Sequence, residues 1–255
     1  MAFQVKIKIR EIKPEIFRRL IIPEDITFKE MHQIIQAAFG WLDYHAYRFE
    51  FGDSVISIHD ERFTAEELYG RDMELLDSET TGIDMFFYDH NKGLYEYDFG
   101  DMWQHDIRIE RVIIDEEVEK DLPTCTGGAR ERPPEDVGGT HGYYEFLKTI
   151  SNISDPERKE TLDWAEKDTR GRIYDPEYFN INEVNRRLIY ALENDYETAY
   201  EMLTGRGLTG VVSWGWSDAC IKIGNKPYSM EQIGNMMLRL GEGSRVTIKV
   251  VPPKE

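Results

Sequence analysis

The chain opens on an alternating pattern. Phe3, Val5, Ile7 and Ile9 share one face, with Gln4, Lys6 and Lys8 between them, which predicts a strand with one buried side over residues 3–10. Ile16-Phe-Arg-Arg-Leu-Ile-Ile22 is its expected antiparallel partner, after a turn around Pro14. The period then changes to that of a helix. Phe28, Met31, Ile35 and Ala38 recur at helical spacing, Thr27 and Glu30 have capping-box spacing, and Gly40 supplies the stop. Tyr47-Arg-Phe-Glu-Phe51 alternates again. Strand, strand, helix, strand predicts an α+β fold with a β-grasp-like mixed sheet and packed helices.

Further on, Met85-Phe-Phe-Tyr88 and Leu94-Tyr-Glu-Tyr97 flank His90-Asn-Lys-Gly93, the composition of a hairpin turn. Tyr95 to Ile107 reads as a strand, a sharp turn at Gly100-Asp101, and a second strand that continues to Ile114. Asp115-Glu-Glu-Val-Glu-Lys-Asp121 reads as a solvated linker or loop. Residues 123–142, with Pro, Gly and Thr, read as a long ordered loop. Short helices are expected at Tyr143–Ile150 and Arg158–Lys167, and a long one from about Glu183 to Leu203, ended by Gly205. Its stripe is Val184, Leu188, Ala191, Leu192, Tyr196, Ala199 and Leu203.

After that the texture changes. Val211-Val-Ser-Trp-Gly-Trp216 and Ala219-Cys-Ile-Lys-Ile223 suit strands. Ser229 and Gln232 have capping-box spacing before Ile233, Met236, Met237 and Leu240, and Val246–Val250 suits a last strand. The expected organisation is a main domain over residues 1–205 and a small α+β domain over residues 206–255.

A hydrophobic share of 40% and an aromatic share of 12% in 255 residues are enough for a packed core. The net charge of −18 repels phosphate backbones and anionic membranes, which argues against a nucleic-acid partner. With Cys125 and Cys220 alone, no disulfide framework is expected and both read as reduced thiols. No apolar run approaches the roughly 20 residues of a membrane helix. The N-terminus lacks the apolar core of a signal peptide. A cytoplasmic protein is expected.

Asp98, Asp101 and His105 form the best polar cluster. Two carboxylates and a neutral imidazole can ligate a divalent cation and acidify bound water, and His45 can join them through the fold. In the competing structural reading, the aspartates hydrogen-bond the turn at Gly100, while His105 pairs with a strand neighbour and Trp103 packs with its indole N–H satisfied. A second candidate is the loop with Glu135, Asp136, Gly138 and Gly139. Its prolines stiffen the entry and its glycines allow close backbone approach, either for a ligand and acid–base work or to cap the helix near Gly142. Arg18-Arg19 and Arg186-Arg187 suit solvated faces, and Trp214 and Trp216 suit core or interface packing. The chain has no phosphate-binding glycine loop, nucleophile elbow or Cys-x-x-Cys pair.

Five segments, in order, resemble the plasmid pRiA4b ORF-3-like family. They are Ile12-Lys-Pro-Glu-Ile-Phe-Arg-Arg19, Met31–Trp41, Tyr97-Asp-Phe-Gly-Asp101 with Trp103 and His105, Pro133-Pro-Glu-Asp-Val-Gly-Gly139 before Gly142-Tyr-Tyr144, and Asp175-Pro-Glu-Tyr-Phe179 before Val184-Asn185. The resemblance spans residue 3 to about residue 190 and implies a protein without an established biochemical role; a resolvase label carried by some relatives implies no mechanism here. The chain departs from relatives with Arg132 and Val137 where cysteines are common, and with Tyr47 in place of the second histidine after His45, which argues against a cysteine-bound metal. Ser229–Val250 is faintly similar to the second helix and last strand of phosphocarrier HPr domains. Thr209 stands at the phosphorylated histidine and Ile233 at the regulatory serine, so a local fold at most is implied. The leading expectation is a non-enzymatic binding or adaptor protein with a protein or small-molecule partner. The alternatives are a metal-dependent hydrolase using Asp98, Asp101 and His105 with a divalent cation, and a nucleic-acid-associated protein.

Overall fold

The computed structural model describes residues 1–58, 73–114, 123–166, 168–169, 172–188 and 191–192, together with the backbone of 211–214, 219–223 and 226–229. These fall into two compact units, Met1–Glu193 and Asn194–Glu255.

The first unit is an α+β fold built on one eight-stranded sheet. In chain order its strands are β1 (Ala2–Ile9), β2 (Phe17–Pro23), β3 (Tyr47–Phe51), β4 (Ser54–Ser57), β5 (Glu74–Asp77), β6 (Lys92–Tyr97), β7 (Trp103–Ile113) and β8 (Thr124–Ala129). The spatial order is β5-β4-β3-β6-β7-β1-β2-β8. Every pair is antiparallel except β4 with β5. The alternation at the N-terminus is expressed as expected: Phe3, Val5, Ile7 and Ile9 are buried and pair through β1 with both β2 and β7.

Helix α1 (Phe28–Phe39) starts at the expected capping box. Thr27 Oγ1 accepts from the Glu30 amide at 3.2 Å while the Glu30 carboxylate accepts from the Thr27 amide at 2.7 Å. It ends at Gly40 in the left-handed conformation, φ +80°. Its buried face carries Phe28, Met31, Ile34, Ile35 and Ala38 into the main core beside Phe49, Tyr95 and Trp103.

The last carbonyls of a helix have no partner within it, and this helix carries no basic residue in its own last turn. Three arginines from elsewhere supply donors. Arg18 Nε donates to Ala38 O at 3.0 Å, Arg187 Nε to Ala37 O at 2.7 Å, and Arg132 Nη2 to Gly40 O at 2.9 Å. Arg18 is therefore not on a solvated face. It is buried between the rings of Phe39 and Phe179, donates also to Phe17, Ala129 and Arg130 carbonyls, and burial lowers its pKa to about 10.

The other differences from the sequence reading have physical causes. Met85–Tyr88 does not form one arm of a hairpin. Helix α2 (Asp84–Phe87) takes its place, with Phe86 and Phe87 buried and Met85 and Tyr88 exposed. Two adjacent residues pointing inward fit a helical turn and not a pleated strand. β6 instead forms its hairpin with β7 around the Gly100 turn, as expected for that segment. Residues 123–142 are not one loop, because Thr124–Ala129 is a strand. Its glycines hide it: a Cβ on Gly128 would lie 2.5 Å from the Phe179 ring, so the strand is glycine-rich to let that ring pack. Its outer edge is closed by Asn185, which accepts from the Cys125 amide at 2.6 Å and donates to its carbonyl at 3.1 Å.

Helices α3 (Gly139–Ser151) and α4 (Arg158–Ala165) correspond to the two short helices expected. Helix α5 (Ile181–Leu188) is the beginning of the predicted long helix, but Ala191 and Leu192 already lie in a turn. The rest of that stripe and the charge run at 115–121 lie outside the described residues.

In the second unit, the described backbone forms an antiparallel sheet of β9 (Val211–Trp214), β10 (Ala219–Ile223) and β11 (Lys226–Ser229), in the order β11-β10-β9. Ser229 is the last residue of β11. The helix expected after it, the strand at 246–250 and Trp216 lie outside the described residues. No described helix is long and apolar enough to cross a membrane.

A fragment of residues 1–205 is expected to be soluble and to melt cooperatively, since the first unit contains the whole eight-stranded sheet. Thermal denaturation followed by near-ultraviolet circular dichroism checks this. A molten or insoluble fragment would mean that the remaining residues complete the main core.

Candidate functional site

Three connections meet at one corner of the first unit: residues 40–46 after α1, the turn between β6 and β7, and residues 130–138 before α3. Trp41 is their common neighbour. Its indole N–H donates to His105 Nε2 at 3.3 Å, and the Arg132 guanidinium lies over its ring at 4.7 Å. Leu42, Tyr44 and Asp98 are then held by their amides. Leu42 donates to the Glu135 carboxylate at 2.7 Å, Tyr44 to the Tyr97 hydroxyl at 3.0 Å, and Asp98 to the Ala46 carbonyl at 3.0 Å.

This arrangement sorts the candidate residues. Asp98, at φ +59°, is buried and closes the turn: Oδ1 accepts from the Gly100 amide at 2.9 Å and the Asp101 amide at 3.3 Å. Asp101 does something not foreseen. Its Oδ2 accepts from the Gly138 amide at 3.0 Å and so ties the hairpin turn to the proline-entered loop. Gly139 packs against the same residue. A Cβ there would come within 2.6 Å of the Asp101 carbonyl, at a φ of +65° that disfavours side chains. Gly138 is the residue before α3, with no side-chain cap.

His105 does not join the aspartates. It is fully buried, with Nδ1 donating to the Trp103 carbonyl at 2.9 Å while Nε2 accepts from Trp41, which fixes a neutral tautomer. Burial holds its pKa down at about 4. Trp103 packs as expected and is buried, but its indole N–H has no hydrogen-bond partner among the described residues, against the expectation of an acceptor. The ring's apolar burial beside Trp41 outweighs that one unmade bond.

Glu135 is fully buried, and its pKa is raised by desolvation against the opposing pull of Arg132. One carboxylate oxygen serves Leu42 and the Tyr97 hydroxyl, and the other has no hydrogen-bond partner among the described residues. Arg132 pairs with the buried Asp168 at 3.0 Å, which also accepts from the Glu135 amide at 3.2 Å.

What remains is a set the sequence did not single out as a unit, running from the buried Asp98 through the half-buried His45 to the exposed Asp136. His45 Nε2 lies 3.2 Å from an Asp136 carboxylate oxygen and 3.6 Å from one of Asp98. One ligand atom from each of the three fits within a span of 4.8 Å. Such separations resemble the edges of a coordination polyhedron with metal–ligand bonds of about 2.0–2.2 Å. One imidazole and two carboxylates suit a borderline divalent cation and leave positions open for water. Exposed Tyr44, Phe99 and Met102 stand on the same loops. His32 was also missed in the sequence. Buried on α1, it bridges the Tyr95 hydroxyl and Asp43, each at 2.8 Å, and stacks on Tyr47. Its helical spacing from Phe28 is the only signal that placed it inside.

The family model described as plasmid pRiA4b ORF-3-like protein matches residues 1–183. The uncharacterized protein y4hQ of Sinorhizobium fredii is 31% identical over 184 residues, which is 72% of this chain and 88% of that protein. The crystal structure of MM3350 from Methanosarcina mazei Go1, described as a protein of unknown function, superposes with a TM-score of 0.60 at 32% identity, covering 71% of this chain and 96% of that one.

Two outcomes test the structural roles. Trp103→Ala is expected to cost about 3–5 kcal/mol of unfolding free energy, as for other buried large aromatics, and Asp98→Asn much less. Chemical denaturation measures both, and equal losses would contradict the assignment. The second concerns pH. An imidazole held at about 4 in the fold and near 6.5 when unfolded takes up its proton by unfolding. Its contribution is fully present above pH 6.5 and is lost as pH falls toward 4, by about 3 kcal/mol at most. His32, also lowered by burial, acts in the same direction, and the raised Glu135 acts in the opposite one. In His105→Gln the fall in stability over that window should be shallower than in the wild type; an unchanged slope would show that His105 is not held neutral.

Proposed function

The chain belongs to the plasmid pRiA4b ORF-3-like family, and on that premise we propose that it is a non-enzymatic, cytoplasmic binding protein whose recognition surface is the corner around His45, Asp98 and Asp136. One observation carries this reading. The groups that would do acid–base chemistry are engaged in holding the corner together: His105 is buried with both nitrogens paired, Asp101 holds Gly138, and Glu135 holds Leu42. The exposed Tyr44, Phe99 and Met102 are instead carried on pinned turns. Large apolar side chains on ordered backbone lose little freedom on association, which is the property of a contact surface. The buried thiol of Cys125 suits a reducing compartment. The charge of −18 favours a protein or small-molecule partner over a nucleic acid.

A metal-dependent hydrolase is the second reading. The convergence of His45, Asp98 and Asp136 favours it, with this trio replacing the set of Asp98, Asp101 and His105. A divalent cation held there would acidify bound water.

The two readings separate by experiment. A photo-crosslinking amino acid at position 99 of the full chain, in its native cells, should give a discrete protein adduct that Tyr44→Ala diminishes, while the same probe at the exposed position 159 should not. Metal analysis of the untagged protein, with assays on ester, phosphoester and peptide substrates, should show no turnover that depends on His45. Stoichiometric metal with turnover that is lost in both His45→Ala and Asp98→Asn would replace the binding reading with the hydrolase.

A further inference from the structure

A second site lies on the α3–α4 side of the first unit, sharing with this corner only the start of the 130–138 connection. A cavity of about 470 Å³ opens between α3, α4 and residues 173–176. Leu147, Ile150, Leu162 and Ile173 make it apolar, and that volume is within the range of small-molecule pockets. Its charged lining runs against the rest of the molecule. Arg130, Lys148 and Arg158 border it, with Asp175 as the lone acidic side chain, in a chain of net charge −18.

Two of the cations are already paired. Lys148 meets Glu145 at 3.0 Å, and Arg130 meets Glu177. Arg130 still has a buried Nε without a hydrogen-bond partner among the described residues. Arg158 differs from both. Its Nε donates to the Ile150 carbonyl at 2.8 Å, which holds the side chain against the cavity, and no carboxylate lies within ion-pair distance among the described residues. A guanidinium so placed presents its remaining donors to whatever fills the apolar space, and a carboxylate matches its fork.

The geometry points to a binding site for an apolar carboxylate, a medium-chain fatty acid in chemical class, with its chain on Leu147, Ile150, Leu162 and Ile173 and its head on Arg158. The apolar floor excludes a strongly hydrated anion such as free phosphate. The unpaired cation excludes an alkylammonium. This site is independent of the binding surface around His45, and neither reading depends on the other.

Calorimetric titration of the full chain with octanoate, octanol and octylammonium tests it. Octanoate should bind with a sub-millimolar Kd and octanol at least about tenfold more weakly, as expected for loss of a charge-assisted hydrogen bond. Octylammonium should not bind. From hexanoate to octanoate the affinity should rise by up to about fourfold per methylene, the equivalent of about 0.8 kcal/mol each. Arg158→Ala should reduce octanoate affinity about tenfold and leave octanol unchanged, while Arg158→Lys keeps part of the preference. Since Arg158 also holds Ile150, a second variant keeps the test decisive if Arg158→Ala misfolds. Ile173 is exposed, so Ile173→Glu should leave the melting temperature unchanged while weakening octanoate more than octanol. Failure of octanoate to bind below millimolar concentration, or equal binding of the three probes, would overturn the proposal.

Discussion

The buried C-terminus of α1 is the constraint on which the rest of this fold depends. Carbonyls at a helix end cost free energy when they leave water without a donor. Here Ala37, Ala38 and Gly40 receive theirs from Arg187 on α5, Arg18 on β2 and Arg132 in the loop before α3. Each donor comes from a different part of the chain. Satisfying one helix end therefore fixes a strand, a later helix and a loop in place at once. The three cations also complement the negative end of the helix dipole.

The corner that carries the proposed function is a consequence of that arrangement. Arg132 reaches Gly40 only by lying across Trp41, and Trp41 in turn donates to the neutral His105 on β7. With Trp41 held on both sides, residues 42–46 run past Glu135 and Tyr97, which take the Leu42 and Tyr44 amides. His45 is then delivered to Asp98 and Asp136 by backbone that has little freedom left. The buried ion pair of Arg132 with Asp168 belongs to the same logic, since the carboxylate offsets part of the cost of taking that guanidinium out of water. Arg132 thus fastens the loop to the helix end with a guanidinium.

Much of the framework was legible because it is local. The alternation of Phe3 to Ile9, the Thr27–Glu30 capping box, the Gly40 stop and the turn around Gly100 each depend on residues within one or two turns of each other, where side-chain period and backbone geometry act directly. Where local signals conflicted with distant packing, packing prevailed. Met85–Tyr88 offers β-favouring aromatics but buries two neighbours together, so it coils. Thr124–Ala129 has only its two threonines as strand formers but finds β2, and its glycine admits Phe179.

By itself the sequence determined the α+β class, the order of most elements in the main unit and the family, because periodicity, caps and turn residues are properties of neighbours along the chain. It also drew attention to Asp98, Asp101, His105 and the loop at Glu135–Gly139. The tertiary structure decided what each of them does. It took His105 out of the polar cluster by burying it, turned Asp101 into a tether for Gly138, and brought His45 to Asp136 across about ninety residues of chain. It also converted Arg18 and Arg132 from ordinary charged positions into donors for a helix end. Those outcomes depend on which polar groups lose water together, and desolvation is set by contacts between segments that no stretch of sequence contains.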